Sequence, residues 1–370
     1  MPNVLHVSVR SDYGGGPKHI ETLLRLLGRR YTFFCAAPTS GAHFNTFNDL
    51  SAECFPLPYR AFSLLALLRL IRFVRQKQIR LLHSHGRGAG VYSRIVGLLT
   101  GVPVIHAHHG FYYHKLSGIK KWPLIALERI FIRLSKRVIF VSPSEIAASQ
   151  EARLYDLKKS VLIPNGVAFV PLSTLHRQNV ARGYVEIVCV TRLAQEKGNR
   201  FLLDVIAHLA LHDVPHHVTV VGDGPEKSIL ERVVEERKLG DRVRFLGARS
   251  DVAEILANAD IFCSCSLGEG HSIALLEAMA HGLPIVASRV IGHVDMIRDG
   301  FNGYLFDLSN PEAGANALLR LIMDPQLRSD MGARGRTWVE TEYSETHMAD
   351  LIDKLYQSVI QEVAKMKKAQ

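Results

Sequence analysis

Short apolar runs alternating with segments of helical periodicity constrain this chain more than any other feature, because they recur in two successive series. Residues 4–9, Val-Leu-His-Val-Ser-Val, read as a buried strand. The turn-forming run Asp12-Tyr13-Gly14-Gly15-Gly16-Pro17 follows, and then Ile20, Leu23, Leu24 and Leu27 fall at i, i+3, i+4 and i+7, the spacing of one helix face. Further strand runs at 32–36, 81–83, 104–107 and 138–141 alternate with helical segments, as they do in a parallel sheet covered by helices. Ile163-Pro164-Asn165-Gly166 carries turn signals, and the polar, irregular stretch up to Gly183 marks a domain boundary. A second series places strands at 186–190, 217–221, 243–246, 261–264, 284–287 and 303–306, with helices near 199–211, 226–238, 273–281 and 311–323. The last segment carries Met348, Leu351, Ile352, Leu355, Tyr356, Val359, Ile360 and Val363 in helical spacing, so its apolar stripe must be buried, and we expect it to return to the first domain. A chain of 370 residues exceeds what one core usually organises. The expected α/β architecture is therefore two doubly wound domains, residues 1–166 with the helix 346–370 packed back on them, and residues 167–345.

Composition narrows the class. Apolar residues at 47% and charged residues at 22% are globular values, which excludes a disordered chain. The most apolar stretch, near residues 61–73, is broken by Arg69 and Arg72 and is far shorter than the roughly 20 residues a spanning helix needs. The start of the chain lacks the charged, apolar and small-residue regions of a signal peptide, so a cytoplasmic protein is expected. Five cysteines without a CxxC pair argue against a disulfide framework and against a zinc ribbon. The net charge of +10 is uneven: residues 1–150 hold 20 Lys and Arg against 6 Asp and Glu, net +14, which leaves −4 for the remainder. In the densest part Arg69, Arg72, Arg75, Lys77 and Arg80 alternate with Leu64, Leu65, Leu68, Leu70, Ile71 and Phe73, and residues 115–137 repeat the style. Such stretches suit an anionic lipid surface or a phosphate-bearing acceptor, and equally an amphipathic core helix with a solvated basic face.

The run Glu269-Gly270-His271-Ser272-Ile273-Ala274-Leu275-Leu276-Glu277 carries the most specific chemistry. A strand runs into a loop with Glu269 and Gly270, and a helix begins at about Ser272 and ends at Gly282, with Pro284 beyond. Two carboxylates eight residues apart thus flank a helix N-terminus, whose unpaired N–H groups favour a diphosphate, while a carboxylate there can accept hydrogen bonds from sugar hydroxyls. In isolation the same pattern fits one surface glutamate and one ordinary helical one.

This run resembles the donor-site motif of glycosyltransferase family 4, retaining enzymes of the two-domain GT-B fold, in which two Rossmann-like domains face a central cleft. Val190-Thr191-Arg192-Leu193-Ala194-Gln195-Glu196-Lys197-Gly198, Val221-Gly222-Asp223-Gly224-Pro225, Val243-Arg244-Phe245-Leu246-Gly247 and Ile163-Pro164-Asn165-Gly166-Val167 are similar to four further family segments in the family's order. The resemblance implies that Arg192 and Lys197 hold the donor diphosphate, Glu269 the hydroxyls of the transferred sugar and Glu277 the ribose. Gly270, His271, Ser272 and Ile273 would supply main-chain N–H groups. Two cations and oriented amides can stabilise the charge that builds on a departing nucleoside diphosphate, so no metal is required. The chain departs from the pattern at His271, where relatives often carry Phe, and at Ile291-Gly292-His293-Val294-Asp295, where a Glu often follows the glycines.

In the first domain, Gly14-Gly15-Gly16 resembles the family's glycine loop, which implies that Gly15 and Gly16 approach the donor phosphates; a tight turn also explains a glycine triplet. Histidines cluster at 83, 85, 106, 108, 109 and 114. The pairs 83/85 and 106/108 each fall on one strand face, with no carboxylate nearby in sequence to complete a metal site. His109-Gly110-Phe111 resembles the family segment whose histidine lies near the reactive carbon of the sugar, so His109 joins Glu269 as a catalytic candidate, His85 is placed on the acceptor side and His108 is read as structural. Core packing explains Cys263 and Cys265.

The resemblance thus implies transfer of a sugar, with retention, from a nucleotide-diphosphate sugar to a hydroxyl of a sugar or lipid-linked acceptor in surface-polysaccharide assembly. UDP-sugars lead and GDP-mannose is the other candidate donor. A front-face route, with the leaving phosphate helping to deprotonate the acceptor, is favoured over double displacement. No cofactor and no metal are expected, and the expected location is the cytoplasmic side, peripheral on an anionic inner membrane surface. A nucleotide-sugar 2-epimerase or a phosphorylase could use the same scaffold. A nucleic-acid-binding protein would explain the basic half but not the ordered motifs, so no nucleic-acid partner is expected.

Overall fold

The computed structural model describes residues 1–110, 121–154, 156–169 and 183–368. His114, Phe111, the start of the second basic stretch and the irregular run before Gly183 lie outside them. The chain divides into two compact units, Met1–Asn165 with Glu345–Gln370, and Gly166–Ser344. These limits differ by one residue from those read from the sequence.

The first unit is built on seven parallel strands: β1 (Asn3–Ser8), β2 (Thr32–Ala37), β3 (Cys54–Pro56), β4 (Leu81–His85), β5 (Val104–Ala107), β6 (Arg137–Phe140) and β7 (Ser160–Leu162), in the order β3-β2-β1-β4-β5-β6-β7. The helices between them are α1 (Gly15–Leu27), α2 (Phe44–Leu50), α3 (Leu64–Gln76), α4 (Gly86–Thr100), α5 (Lys121–Leu134) and α6 (Pro143–Glu151). Strand alternation sends Val4 to a core shared with α1 and sends Leu5 and Val7 to a core shared with α3 and α4. His6 therefore shares the Val4 face. The closing helix of the chain, Glu345–Lys368, packs on α1 and buries Met348, Ile352, Tyr356 and Val359 in the same core. Asp353 anchors it, accepting a hydrogen bond from Tyr31 Oη at 2.6 Å and pairing with Arg30.

The second unit has six parallel strands, β8 (Val185–Val190), β9 (His216–Val221), β10 (Val243–Gly247), β11 (Ile261–Ser264), β12 (Ile285–Ser288) and β13 (Gly303–Phe306), in the order β10-β9-β8-β11-β12-β13. Ile187 and Cys189 enter one core, and Val188 and Val190 pack with the other. Its helices are α7 (Asn199–Leu209), α8 (Lys227–Glu236), α9 (Val252–Ala257), α10 (Ile273–Ala280), α11 (His293–Met296), α12 (Pro311–Met323) and α13 (Pro325–Glu342); the closing helix is α14. Helix α13 was not read from the sequence. Its polar sequence lacks an apolar stripe, and Gly332 lets it press against the carbonyl of Gly282, where an added Cβ would lie 1.9 Å away.

Both sheets reverse strand order at one place, between β1 and β4 and between β8 and β11. In open α/β sheets the carboxyl ends of the strands flanking such a reversal form the crevice that receives ligands.

Candidate active site

At the β8/β11 reversal, Thr191 and Arg192 continue from β8, and a 3-10 turn over Gln195–Lys197 leads to Gly198 at φ +62°. A Cβ on Gly198 would lie 2.1 Å from the Cys265 carbonyl, so glycine is needed for the Lys197 loop to reach the loop after β11. There Lys197 Nζ stands 2.6 Å from Glu269 Oε1, and Ser266 Oγ donates to the same oxygen at 2.6 Å. Burial pushes the Glu269 carboxyl up, but the Lys197 ammonium, then His293 and the two hydrogen bonds, outweigh it and hold the pKa below its ordinary value. The Glu269 N–H donates to the Ile291 carbonyl at 3.0 Å, and Gly292, at φ +84°, packs where a Cβ would lie 2.8 Å from the Glu269 carbonyl. Arg192 pairs with Glu196, and its carbonyl accepts from Asn199 at 3.1 Å.

Helix α10 starts immediately beyond Glu269. Ser272 is its N-cap, accepting from the Leu275 N–H at 3.4 Å. The predicted start at Ser272 and the turn at Gly282, φ +73°, are both observed. Glu277 stands one turn into α10, on the face of Ile273. The His271 ring is buried against Tyr343 at a centroid distance of 4.8 Å, and burial lowers its pKa to about 3. Lys197 therefore stands beside the Glu269 carboxylate where Gly270, His271 and Ser272 lead into α10 at Ile273, while Arg192, on the loop after β8, pairs with Glu196. Ser266 was missed by sequence reasoning; only its position three residues before Glu269 could have signalled it.

At the β1/β4 reversal of the first unit, a pocket of about 350 Å3 is lined by residues that include Arg10, Gly16, Arg60, His85 and His109. Gly15 and Gly16 open α1, and a Cβ on Gly16 would meet nothing within 4 Å. Neither steric crowding nor a left-handed φ explains glycine there, which disfavours the tight-turn account of that position. His109 adopts φ +52°, a strained conformation for a non-glycine residue. The fully buried Glu145 carboxylate holds this loop, accepting from the Gly110 N–H and the Val141 N–H at 2.8 Å each. Ser142, the N-cap of α6, places Glu145 by accepting its N–H at 3.3 Å.

The histidines do share faces: the ring centroids of His83 and His85 are 4.1 Å apart and those of His106 and His108 4.8 Å apart. His85 Nδ1 lies 3.0 Å from His109 Nε2, and His6 Nδ1 lies 2.9 Å from His85 Nε2. His108 stacks on Phe140 and also lines the first-unit pocket. Burial lowers the pKa of His6 to about 3 and of His108 and His109 to about 4, and holds His19, His83, His85 and His106 well below the ordinary value. His6 and His19, absent from the sequence-based cluster, belong to it; β1 pairs His6 with His83 across the sheet, and the His19 ring meets that of His109 edge-on at 4.8 Å. Among the described residues, three groups bring ligand atoms close enough to hold a cation: His6, His83 and His85; His19, His85 and His109; and His106, His108 and Glu128. The third group includes a carboxylate that is distant in sequence, which spacing along the chain could not reveal.

Comparison with known proteins agrees with this layout. Residues 13–169 match the family model described as Glycosyltransferase Family 4, and residues 174–338 match Glycosyl transferases group 1. An Escherichia coli protein named UDP-Gal:alpha-D-GlcNAc-diphosphoundecaprenol alpha-1,3-galactosyltransferase is 26% identical over 79% of this chain and 78% of its own length. The phosphatidyl-myo-inositol mannosyltransferase of Mycobacterium leprae is 27% identical over 84% of this chain and 83% of its own. Among solved structures, Anabaena HepE in complex with UDP and glucose superposes with a TM-score of 0.82 at 20% identity, covering 97% of this chain and 100% of that one. The sucrose-phosphate synthase of Thermosynechococcus elongatus gives 0.84 at 20% identity, covering 98% and 100%; with both structures the shared property is the fold. With one family model matched in each Rossmann-like domain, over residues 13–169 and 174–338, the chain belongs to glycosyltransferase family 4 and is a glycosyltransferase of the GT-B fold.

Proposed function

We propose that this enzyme transfers a sugar, with retention of anomeric configuration, from a UDP-sugar to a hydroxyl of a lipid-linked acceptor at an anionic membrane surface. The observation that carries this reading is the Lys197–Glu269–Ser266 arrangement beside the start of α10. Arg192 and Lys197 offer positive charge to the diphosphate, the amides of residues 270–273 supply oriented N–H groups, Glu269 receives sugar hydroxyls and Glu277 the ribose. As the glycosidic C–O bond breaks, its electron pair leaves with the diphosphate. The leaving phosphate takes the acceptor proton, and the new bond forms on the same face. Glu269 is a poor nucleophile for double displacement because its Oε1 already receives hydrogen bonds from Lys197 and Ser266. Gly15 and Gly16 admit the phosphates closely, His109 contacts the sugar and His85 stands behind it. No metal takes part. UDP is favoured because the E. coli relative is named for a UDP-sugar and HepE was crystallised with UDP.

The membrane part rests on α3, which buries Leu67, Leu70, Ile71, Phe73 and Val74 but leaves Leu64, Leu65 and Leu68 exposed among exposed Arg69, Arg72 and Arg75, with Phe62 exposed just before the helix. A solvated basic face would not need those leucines. Helix α5 likewise exposes Trp122, Leu127 and Ile130 beside Arg129 and Arg133. Among the described residues no helix is long and apolar enough to cross a membrane, so contact would be peripheral.

Melting temperatures measured with UDP, GDP, ADP and their sugars test the donor site. A rise with uridine nucleotides that Lys197→Ala and Glu277→Ala both lose is the expected result. A rise that survives both substitutions would place the nucleotide elsewhere, and a rise with GDP alone would replace the donor class. The anomeric signal of fresh product in an NMR time course decides retention.

A further inference from the structure

Three imidazoles meet beyond the ends of β1, β4 and β5. His19 stands on α1, one turn after Gly15, His85 is the N-cap of α4, and His109 follows β5. His85 Nδ1 lies 3.0 Å from His109 Nε2, and one ligand nitrogen from each of the three rings lies within 4.8 Å of the other two. Two nitrogens on one tetrahedral Zn2+ are about 3.3 Å apart, so the His85–His109 pair already has nearly that spacing. Neither nitrogen of the buried His19 ring makes a hydrogen bond of good geometry, although the Asn165 side chain lies near enough to favour a hydrogen there. A buried polar ring without such a bond calls for an explanation, and an ion supplies one. Desolvation also holds all three rings neutral, the form that coordinates a metal.

The other two groups of close ligand atoms are poorer. His6 and His83 are buried and do not line the pocket, so an ion has no way in to them. In the third group the Glu128 carboxylate is already held by Arg94, whose guanidinium acts on His106 as well and repels a cation.

We propose that His19, His85 and His109 form a binding site for a divalent transition metal, Zn2+ above all, whose occupation inhibits sugar transfer. Ligands that are all imidazole suit Zn2+, Cu2+, Ni2+ and Co2+, and not Mg2+ or Ca2+, which take oxygen. His85 and His109 line the pocket of about 350 Å3, which admits the ion and leaves its fourth position to water. With the metal on Nδ1, the hydrogen of His85 stands on Nε2, and His6 Nδ1, 2.9 Å away, accepts it. The shift runs on through His6 and Tyr356 and leaves a hydrogen on His83 Nε2, buried without a partner. One orphaned donor is a small cost beside three metal–nitrogen bonds. The ion takes Nε2 of His109 and stands in the space where that ring is read to meet the sugar, so it blocks a reaction that itself needs no metal. Inhibition rests on that reading of His109; binding of the metal does not.

The full chain, stripped with EDTA and exchanged into metal-free buffer, is titrated with Zn2+ against a chromophoric chelator and with Co2+ followed by its visible absorption. One tight Zn2+ per chain is expected, with a tetrahedral Co2+ spectrum. His19→Phe keeps a ring in place without a ligand nitrogen and should weaken Zn2+ binding by at least about 100-fold; His6→Leu removes only the acceptor behind His85 and should weaken it by about 10–100-fold. His19→Leu serves if the phenylalanine variant does not fold. Zn2+ should inhibit transfer by the wild type at the concentration that fills the site, whereas His19→Phe, whose metal-free rate stays near wild type, should resist it. Zn2+ binding that survives both His19 substitutions, or an octahedral Co2+ spectrum, would overturn the site. Equal inhibition of wild type and His19→Phe would place the inhibition elsewhere in the chain and overturn the proposed role. Tight binding through His19 with transfer undiminished would overturn the reading of His109 as a sugar contact and leave the metal site standing.

Discussion

Lys197 and Glu269, 72 residues apart in sequence, meet at 2.6 Å where β8 and β11 diverge, and each sets the charge state of that corner. The Glu269 carboxyl is buried, and the nearby ammonium keeps it ionised against the cost of burial. Its folded pKa lies below the unfolded one, so the stability it contributes is present above the unfolded value and lost as pH falls through the folded one.

Lys197→Ala removes the opposing charge. Burial then dominates, the Glu269 pKa rises, and the acidic limb of the kcat/KM profile moves to higher pH. A limb that stays where it is would mean that Glu269 does not titrate in that limb. Ser266→Ala removes one hydrogen bond from the same oxygen and should shift the limb the same way by a smaller amount, with a stability loss of about 1 kcal/mol in urea unfolding.

The buried pair Arg94–Glu128 joins α4 to α5 at 2.7 Å, with the arginine fully buried and its Nε donating to Ser135 Oγ at 2.9 Å. Removing one partner strands the other charge in the interior. Arg94→Met or Glu128→Leu alone should each destabilise the first unit by about 3–5 kcal/mol, whereas the double substitution should recover a large part of that loss. Chemical denaturation of the three variants decides this, and additive losses would show that the pair is not coupled.

Much of the architecture was legible because its strands are buried on both faces. Runs such as Val185–Val190 have no other reading, and the glycines and prolines between them mark the turns. The short strands Cys54–Pro56 and Ser160–Leu162 escaped because three residues carry no period. Helix α13 escaped because its contact with Gly282 depends on a missing side chain at Gly332, which periodicity does not register. At the site, Arg192, Lys197, Glu269 and His109 could be named from short motifs. Ser266, His6, His19 and Glu145 could not, since each acts through register or loop closure: His6 reaches His85 only because β1 and β4 pair in parallel, and Glu145 reaches Gly110 only because α6 follows β6, which pairs with β5. Alternation along one strand shows which residues share a face, but not which residues on neighbouring strands touch.

Helix α3 yields a further prediction. Leu64→Ser and Leu65→Ser remove exposed apolar surface that the core does not use, so melting temperature should be unchanged. Binding to vesicles containing anionic lipid at low salt should weaken severalfold for the pair, and Arg69→Gln with Arg72→Gln should weaken it by about 1 kcal/mol per charge. Wild-type protein that ignores such vesicles would remove the membrane surface from the proposed function.

Metal dependence is open to a direct check. Exhaustive EDTA treatment followed by gel filtration should leave the transfer rate unchanged, since Arg192 and Lys197 supply the charge a divalent cation would. Activity that vanishes and returns only with Mg2+ or Mn2+ would show that two side-chain cations are insufficient.

Six buried histidines, His6, His19, His83, His85, His106 and His108, and the half-buried His109 are held neutral by desolvation in the first unit, with folded pKa values below the ordinary 6.5. In the unfolded chain they protonate as pH falls through about 6.5, while in the folded unit burial keeps them neutral to lower pH, down to about 3 for His6 and about 4 for His108 and His109. The unfolded state therefore binds more protons throughout that window, and stability must fall as pH falls. Each such histidine acts in the same direction, so their effects on stability reinforce one another. The first unit should accordingly lose stability as pH falls below about 6.5. The chain reports on this by itself, because it has two tryptophans, Trp122 in the first unit and Trp338 in the second. In Trp338→Phe, fluorescence follows the first unit and should change across that window, whereas Trp122→Phe, which follows the second, should hold to lower pH. Coincident transitions would mean that the two units unfold together, and a first unit whose stability to urea does not fall between pH 7 and pH 5 would mean that the histidines take up protons without leaving the core.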